Sequence, residues 1–196
     1  FVPVKQSLLL RRIGQGTPLG TPSGPGEPWK PIEDMDKPVI AAVNGACYTG
    51  GMTLIECCDI VLASDAAVFC DTHARFGMPG GGGELTRLPR MIGLQKAKEV
   101  LFTCEPFSAQ EAERIGLITR VVPAAKLMEA AHELAQKIGR NSRFAIQTQK
   151  RVLNRGFRVG LVEAFEIELH EGEAYQRTHR EAQERARGFV EKKDRN

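Results

Sequence analysis

The fold is decided by residues 38–54, which read PVIAAVNGACYTGGMTL. Residues 39–43 form a continuous apolar run, which is typical of a strand buried on both faces. Gly50 and Gly51 follow, and an apolar, helix-like run begins at Thr53. A strand that ends in a glycine turn before a helix directs backbone N–H groups at one point, where they can hold a negative oxygen. A plain strand-to-helix turn is the alternative interpretation, because an isolated glycine pair is a weak signal.

Strands and helices continue to alternate after this stretch. Residues 60–63 and 68–70 are predicted strands, and residues 84–92 and 94–103 have the pattern of helices. Between them lies a glycine-rich loop at residues 77–83. This alternation favours an α/β fold.

The second half of the chain reads as one more strand followed only by helices. Ser108 and Glu111 form a capping box that predicts the start of a helix, which ends at Gly116. Residues 117–122 are a predicted strand. Two apolar stripes then have helical spacing, one of Leu127, Ala131, Leu134 and Ile138 and one of Leu161, Phe165 and Leu169.

The sequence therefore predicts three segments. Residues 1–36 are irregular, because residues 15–32 are rich in glycine and proline and cannot easily hold a helix or a central strand. Residues 37–123 form the α/β core, and residues 124–196 form a helical region.

Composition excludes several function classes. The chain has 196 residues with a net charge of +3, 42% apolar and 26% charged residues, which is ordinary for a globular protein. Lysine and arginine are not clustered with aromatic residues, so no nucleic-acid partner is predicted. No apolar run approaches the roughly 20 residues of a membrane span. The five cysteines have neither zinc spacing nor a disulfide framework, which predicts reduced, mostly buried thiols, no metal site and a cytoplasmic protein.

Two further positions are candidates for chemistry. His73 follows a predicted strand and precedes the glycine loop, so it can act as a general acid or base, or hydrogen-bond Asp71 and hold the loop. Gly80–Gly83 before Glu84 can cradle a phosphate or thioester, although close packing of the loop is favoured for most of these glycines. No Lys-Ser or Lys-Thr follows the loop, which argues against a nucleotide-binding P-loop.

Together, four stretches resemble the enoyl-CoA hydratase/isomerase (crotonase) superfamily. They are KPVIAAVNGACYTGGMTL, CDIVLASDAAVF, DTHARFGMPGGGGELTRLPRMIG and EPFSAQEAERIGLITRVVP. They follow one another in the family's order and at its spacing. The resemblance covers residues 37–123 and continues more loosely through the helical tail.

The resemblance implies ββα units wound into a spiral, followed by C-terminal helices that build trimers or dimers of trimers. It implies an acyl-CoA thioester as the ligand, with coenzyme A as part of the substrate and no permanently bound cofactor. Gly50 matches the glycine that donates one of the family's two oxyanion N–H groups. Gly51, Gly80 and Gly81 are expected beside the bound thioester.

The chain departs from the family at important positions. The family's hydratases usually carry one glutamate at the position of Thr53 and a second at that of His73. Both are replaced here, and Glu84, or Asp71 together with His73, is the hypothesised substitute. Residues 1–36 lack the G-A-D-x-K-like segment that supplies the second oxyanion N–H. The crotonase-like core is thus expected to be incomplete at its N-terminal side.

The resemblance predicts an enoyl-CoA hydratase-like protein of acyl-CoA (fatty acid) metabolism, and it leaves open whether the chain is an active lyase. Other members isomerise, hydrolyse or cleave with the same oxyanion hole, so the reaction depends on the side chains that are altered here. The first alternative is a catalytically impaired protein that binds acyl-CoA or serves as an assembly subunit. The second is that residues 1–36 are not the family's natural start and the chain is a fragment.

Overall fold

The computed structural model describes residues 2–3, 30–178 and 187. Its contacts divide the chain into two units, residues 1–35 with 39–135, and residues 36–38 with 136–196. Both sheets belong to the first unit, so the predicted α/β class is confirmed. The loop prediction for residues 15–29 lies outside the described residues.

The first sheet consists of four parallel strands in the order β1-β2-β4-β7. These strands are β1 (Val2–Pro3), β2 (Ile40–Val43), β4 (Ile60–Ser64) and β7 (Arg120–Val122). In the register of the central pair, Ile40 lies opposite Ile60 and Val43 opposite Ala63. Every residue of β2 is buried, which confirms the prediction from its unbroken apolar run.

The second sheet is smaller and has the order β3-β5-β6. Its strands are β3 (Ala46–Tyr48), β5 (Val68–Cys70) and β6 (Phe107–Ser108). β3 and β5 are parallel, whereas β6 runs antiparallel to β5. Along the chain, β2 enters the first sheet and β3 the second, and β4 and β5 repeat this order. The helix α2 (Gly50–Glu56) separates the two strand pairs, so the chain forms ββα units.

The other helices of the first part of the chain are α1 (Lys30–Glu33), α3 (Glu84–Ile92), α4 (Leu94–Thr103), α5 (Ala109–Arg114) and α6 (Leu127–Gly139). Both α3 and α4 have the predicted bounds. One-turn α1 lies in the segment predicted to be irregular, and Pro31 is tolerated there because the first turn of a helix needs no N–H donor. α2 begins three residues earlier than predicted, and β7 is three residues shorter.

The start of α5 has half of the predicted capping box. The Ser108 hydroxyl oxygen accepts a hydrogen bond from the Glu111 N–H at 3.2 Å. The Glu111 carboxylate instead pairs with Arg114 at 2.7 Å and with Lys96 at 3.2 Å. Gly116 follows the helix with a φ of 83°, a conformation that favours glycine, as predicted for the helix end.

The core of the first unit is mostly apolar. Its largest fully buried apolar side chains are Phe69, Met52, Ile55, Leu62, Leu88 and Leu117. All five cysteines are free and four of them are buried, which confirms the prediction that these thiols are mostly buried.

The second unit contains two helices that pack against each other, α7 (Arg143–Gly156) and α8 (Leu161–Thr178). Glu171 of α8 joins them, pairing with Arg151 at 3.2 Å and with Arg155 at 2.7 Å. The predicted stripe on α8 is exposed, by 73% at Leu161, 56% at Phe165 and 68% at Leu169. In the described part of the chain, every helix is too short or too polar to cross a membrane.

Candidate functional site

The turn between β3 and α2 has an unusual backbone. Thr49 has a φ of 52° and a ψ of −107°, and its N–H donates to the Cys70 carbonyl at 2.8 Å. Gly50 is the first helical residue and is half-buried. Because the first N–H groups of a helix have no intrahelical acceptor, this turn can direct Gly50 and Gly51 N–H groups at a ligand oxygen.

Thr53 lies one turn further along α2 and is 2% exposed. Its hydroxyl is 3.3 Å from the Thr49 carbonyl oxygen and 3.5 Å from Oε2 of Glu84. A threonine hydroxyl is not an acid or base near neutral pH, but it can orient a neighbouring oxygen. Thr53 thus contacts Glu84, the carboxylate that was hypothesised from sequence to substitute for the family's usual glutamates.

Glu84 is a buried carboxylate at the start of α3, with 1% exposure. Its Oε1 accepts the Gly81 N–H at 2.8 Å, and its Oε2 accepts the Gly82 N–H at 2.9 Å. Arg87 supports the same loop, since its Nη1 donates to the Gly82 carbonyl at 3.1 Å. The absence of a side chain at Gly80 makes space for Glu84, because a Cβ at Gly80 would lie 1.8 Å from Oε1 of Glu84. The glycine loop therefore wraps the carboxylate, and the Gly81 N–H is engaged within the protein.

His73 lies beside Glu84 in the candidate site. Its ring Nδ1 lies 3.0 Å from each oxygen of buried Asp71 and 4.0 Å from Oε1 of Glu84. Its backbone N–H also donates to Asp71, at 2.9 Å. The hydrogen bond to Asp71 raises the pKa of His73 above its ordinary value, against an opposing effect of burial. The hydrogen bonds to Asp71 thus hold His73 beside the loop, and they favour the protonated form of its ring. Its use as a general acid or base stays a prediction.

The structure thus brings Thr53, His73 and Glu84 together, although 31 residues separate Thr53 from Glu84 along the chain. Arg87 is joined to Glu33 at 2.7 Å, with both side chains largely buried. This ion pair joins α1 to α3, the helix that begins at Glu84.

Sequence reasoning missed one further carboxyl group. Glu56 lies one turn beyond Thr53 on α2 and is 7% exposed. Within the described residues, neither of its carboxyl oxygens has a hydrogen-bond partner. Burial, with a smaller effect from the charge of Glu84, raises its pKa to about 8. The available signal was a single acidic residue inside the apolar run of residues 52–58.

Comparison with known proteins agrees with this architecture. A family model described as Enoyl-CoA hydratase/isomerase matches residues 22–196. The chain is 37% identical to a probable enoyl-CoA hydratase 1, peroxisomal, of Arabidopsis thaliana, covering 76% of this chain and 56% of that protein. It is 39% identical to a short-chain-enoyl-CoA hydratase of Clostridium acetobutylicum, covering 70% of this chain and 52% of the relative. The chain therefore spans about half the length of these curated relatives.

Solved structures give the same result for the fold. An enoyl-CoA hydratase from Bacillus anthracis superposes with a TM-score of 0.80 at 35% identity, covering 84% of this chain and 63% of that one. An enoyl-CoA hydratase subunit from Geobacillus kaustophilus gives a TM-score of 0.83 at 29% identity, covering 93% of this chain and 71% of that one. The expected crotonase-like fold and the resemblance are confirmed, and the chain belongs to the enoyl-CoA hydratase/isomerase family.

Proposed function

We propose that this chain acts as an enoyl-CoA hydratase-like protein that binds an acyl-CoA thioester and uses Glu84 as its acid–base group. The observation that carries the proposal is the position of the Glu84 carboxylate. It lies 3.5 Å from the Thr53 hydroxyl and 4.0 Å from the His73 ring, beside the two positions where the family's hydratases usually carry glutamates.

In the proposed reaction, the Gly50 N–H donates to the thioester oxygen. Water adds to the β-carbon of the enoyl group, and the electron pair of the double bond moves towards that oxygen. A carboxylate has about four lone-pair positions; on Glu84 the loop N–H groups occupy two and the Thr53 hydroxyl a third. Glu84 therefore retains one position, on Oε1, from which to accept the proton of the water, while protonated His73 supplies a proton to the α-carbon.

One observation favours a different function, that of a protein which binds acyl-CoA without turning it over. Both oxygens of Glu84 already accept backbone N–H groups, a role that the carboxylate also has in a purely structural loop. Thr53 adds no ionisable group beside it. Binding without catalysis is therefore the second candidate.

The decisive experiment measures crotonyl-CoA hydration by the purified protein and by Glu84→Gln and His73→Ala variants, with acyl-CoA binding measured by calorimetry. Loss of one general acid–base group is expected to lower kcat by about 10²- to 10⁴-fold. Glu105→Gln is the matched control, because that carboxylate side chain is 74% exposed and should leave kcat unchanged. Wild-type rates in the Glu84→Gln, His73→Ala double variant would refute the proposed roles.

A further variant separates the two candidates. Thr53→Glu combined with Glu84→Gln moves the carboxylate to the family's usual position without adding a second buried negative charge. If only this variant hydrates crotonyl-CoA while the wild type binds it, the natural chain is a binder. If the wild type neither binds nor hydrates it, both candidates fail for this substrate.

We also infer that the protein assembles as a homo-trimer or a dimer of trimers. Leu161, Phe165 and Leu169 recur every four residues and so share one face of α8, where all three are more than half exposed. Apolar surface of this kind favours contact with another subunit. Light scattering should give a trimer or hexamer mass for the wild type and a smaller mass for Phe165→Glu; a monomeric wild type would refute the assembly.

A cytoplasmic location is proposed from the thiols alone. Five free cysteines suit a reducing compartment. Fractionation of cells that produce the protein with an epitope tag tests this, and recovery in an organelle fraction would contradict it.

A further inference from the structure

Thr49 has a backbone conformation that few residues tolerate. Among the described non-glycine residues, only Thr49 and Cys104 have a positive φ, 52° in both cases. A β-branched side chain makes this conformation especially unfavourable, so the surrounding structure must hold it. Glycine follows at Gly50, yet the turn places the unfavourable conformation on the threonine.

The groups that hold Thr49 come from the last residue of β5 and from the loop after it. The Thr49 N–H bonds to the Cys70 carbonyl at 2.8 Å, and the Thr49 hydroxyl is hydrogen-bonded to the Thr72 hydroxyl. The Thr72 N–H also donates to the Thr49 hydroxyl oxygen, at 3.3 Å. We call this pair of side-chain contacts the Thr49–Thr72 clasp.

The clasp joins the two segments that carry the candidate site. On one side, the Thr49 carbonyl accepts the Thr53 N–H at 3.1 Å, and Gly50 follows directly. On the other side, Thr72 lies between Asp71 and His73, whose ring is 3.0 Å from the Asp71 carboxylate. A shift of either segment would change the position of the His73 ring relative to the turn.

We propose that Thr49 and Thr72 are positioning residues whose clasp fixes the turn before Gly50 against the loop that carries His73. The inference rests on the proposed function, because the two segments must meet the same thioester. A misplacement of about 1 Å can lower a rate about a hundredfold, so the clasp acts on the reaction without touching the substrate.

Two matched pairs of variants test the clasp. Thr49→Gly removes the hydroxyl and suits the positive φ, so it should fold, whereas Thr49→Ser keeps the hydroxyl. Thr72→Val removes the second hydroxyl at similar volume, and Thr72→Ser keeps it. We expect kcat for crotonyl-CoA to fall about ten- to a hundredfold in Thr49→Gly and Thr72→Val with KM within about twofold, and to recover in the serine variants.

The double variant Thr49→Gly, Thr72→Val should be no slower than Thr49→Gly alone, since Thr49→Gly already removes both contacts of the clasp. The proposal would be overturned if Thr49→Gly and Thr72→Val both kept the wild-type kcat, or if each serine variant were as slow as the matched variant without the hydroxyl. It would also be overturned if the losses in kcat of the two single variants added up in the double variant.

Two measurements are independent of turnover. Exchange of the Thr72 amide hydrogen should be slow in the wild type and in Thr49→Ser and fast in Thr49→Gly. Nuclear magnetic resonance should show the His73 ring titrating closer to the ordinary value of about 6.5 in Thr72→Val than in Thr72→Ser. If the wild type does not hydrate crotonyl-CoA, the proposed function fails. Fast Thr72 exchange in the wild type, or a His73 titration that is the same in Thr72→Val and Thr72→Ser, overturns the clasp itself.

Discussion

Replacing Glu56 by glutamine should remove a pH-dependent loss of stability from this protein. The Glu56 carboxyl group is 7% exposed and has no hydrogen-bond partner among the described residues. Burial raises its pKa from 4.5 to about 8; the charges of Glu84 and Asp71 add to this effect and that of Arg87 opposes it. The group is therefore protonated in the folded protein at neutral pH and ionised in the unfolded chain.

The magnitude follows from this difference in pKa. Below pH 4.5 the carboxyl is protonated in both states, and the wild type and Glu56→Gln should unfold with similar free energies. As the pH rises, the unfolded state ionises first, so the wild type loses about 1.4 kcal/mol for each pH unit. The loss is about 3 kcal/mol at pH 7 and reaches about 5 kcal/mol above pH 8, where the folded state ionises as well. Glutamine cannot ionise, so the variant avoids the loss.

Urea denaturation of both proteins at each pH from 5 to 9 measures the difference. The two free energies of unfolding should differ by less than about 1 kcal/mol at pH 5 and separate steadily to pH 8, with Glu56→Gln the more stable. Glu99→Gln is the control, because its carboxylate side chain is 61% exposed, and its difference from the wild type should stay small at every pH. Parallel curves for wild type and Glu56→Gln would refute the assignment of a neutral buried acid.

Three further variants test other parts of the structure. Asp71→Asn should lower the pKa of His73, measured by nuclear magnetic resonance, and remove the stability that His73 contributes below pH 6.5 and loses as the pH rises through its raised pKa. Gly80→Ala, at a φ of 100° and against Glu84, should lower the free energy of unfolding by about 1–3 kcal/mol. The loss of stability in Gly80→Ala should exceed that in Gly77→Ala, where φ is also positive but a Cβ meets nothing within 4 Å. Equal losses in the two variants would show that the contact with Glu84 costs no stability. Ser108→Ala should cost about 1 kcal/mol in chemical denaturation through loss of the helix cap, and an unchanged midpoint would contradict that role.

The elements that sequence predicted well are those with a local signal. The apolar run at residues 39–43 gave the buried strand, and both α3 and α4 followed their periodicity to the residue. The motifs of the crotonase family supplied the order of the ββα units. Local pattern failed for α1, because a single turn beside Pro31 has too few residues for a periodic signal.

The site was only partly predictable, because its contacts join distant segments. Nothing local indicates that Glu84 meets Thr53 across 31 residues, although both were candidates. Glu56 was missed because an isolated acidic residue usually faces solvent. The glycine pair suggested that glycine supplies the flexibility of the turn, whereas the positive φ falls on Thr49.

The parallel pairing of β4 with β7 has a consequence for synthesis of the chain. Val61 and Thr119, which meet beside this pair, are 58 residues apart. A ribosome that adds about 5–20 residues per second needs roughly 3–12 s to make that interval. Until β7 emerges, that side of β4 is an unpaired strand edge, which is the surface most prone to pairing with other chains. We therefore expect the nascent protein to depend on chaperones most strongly in the seconds before residue 122 leaves the ribosome.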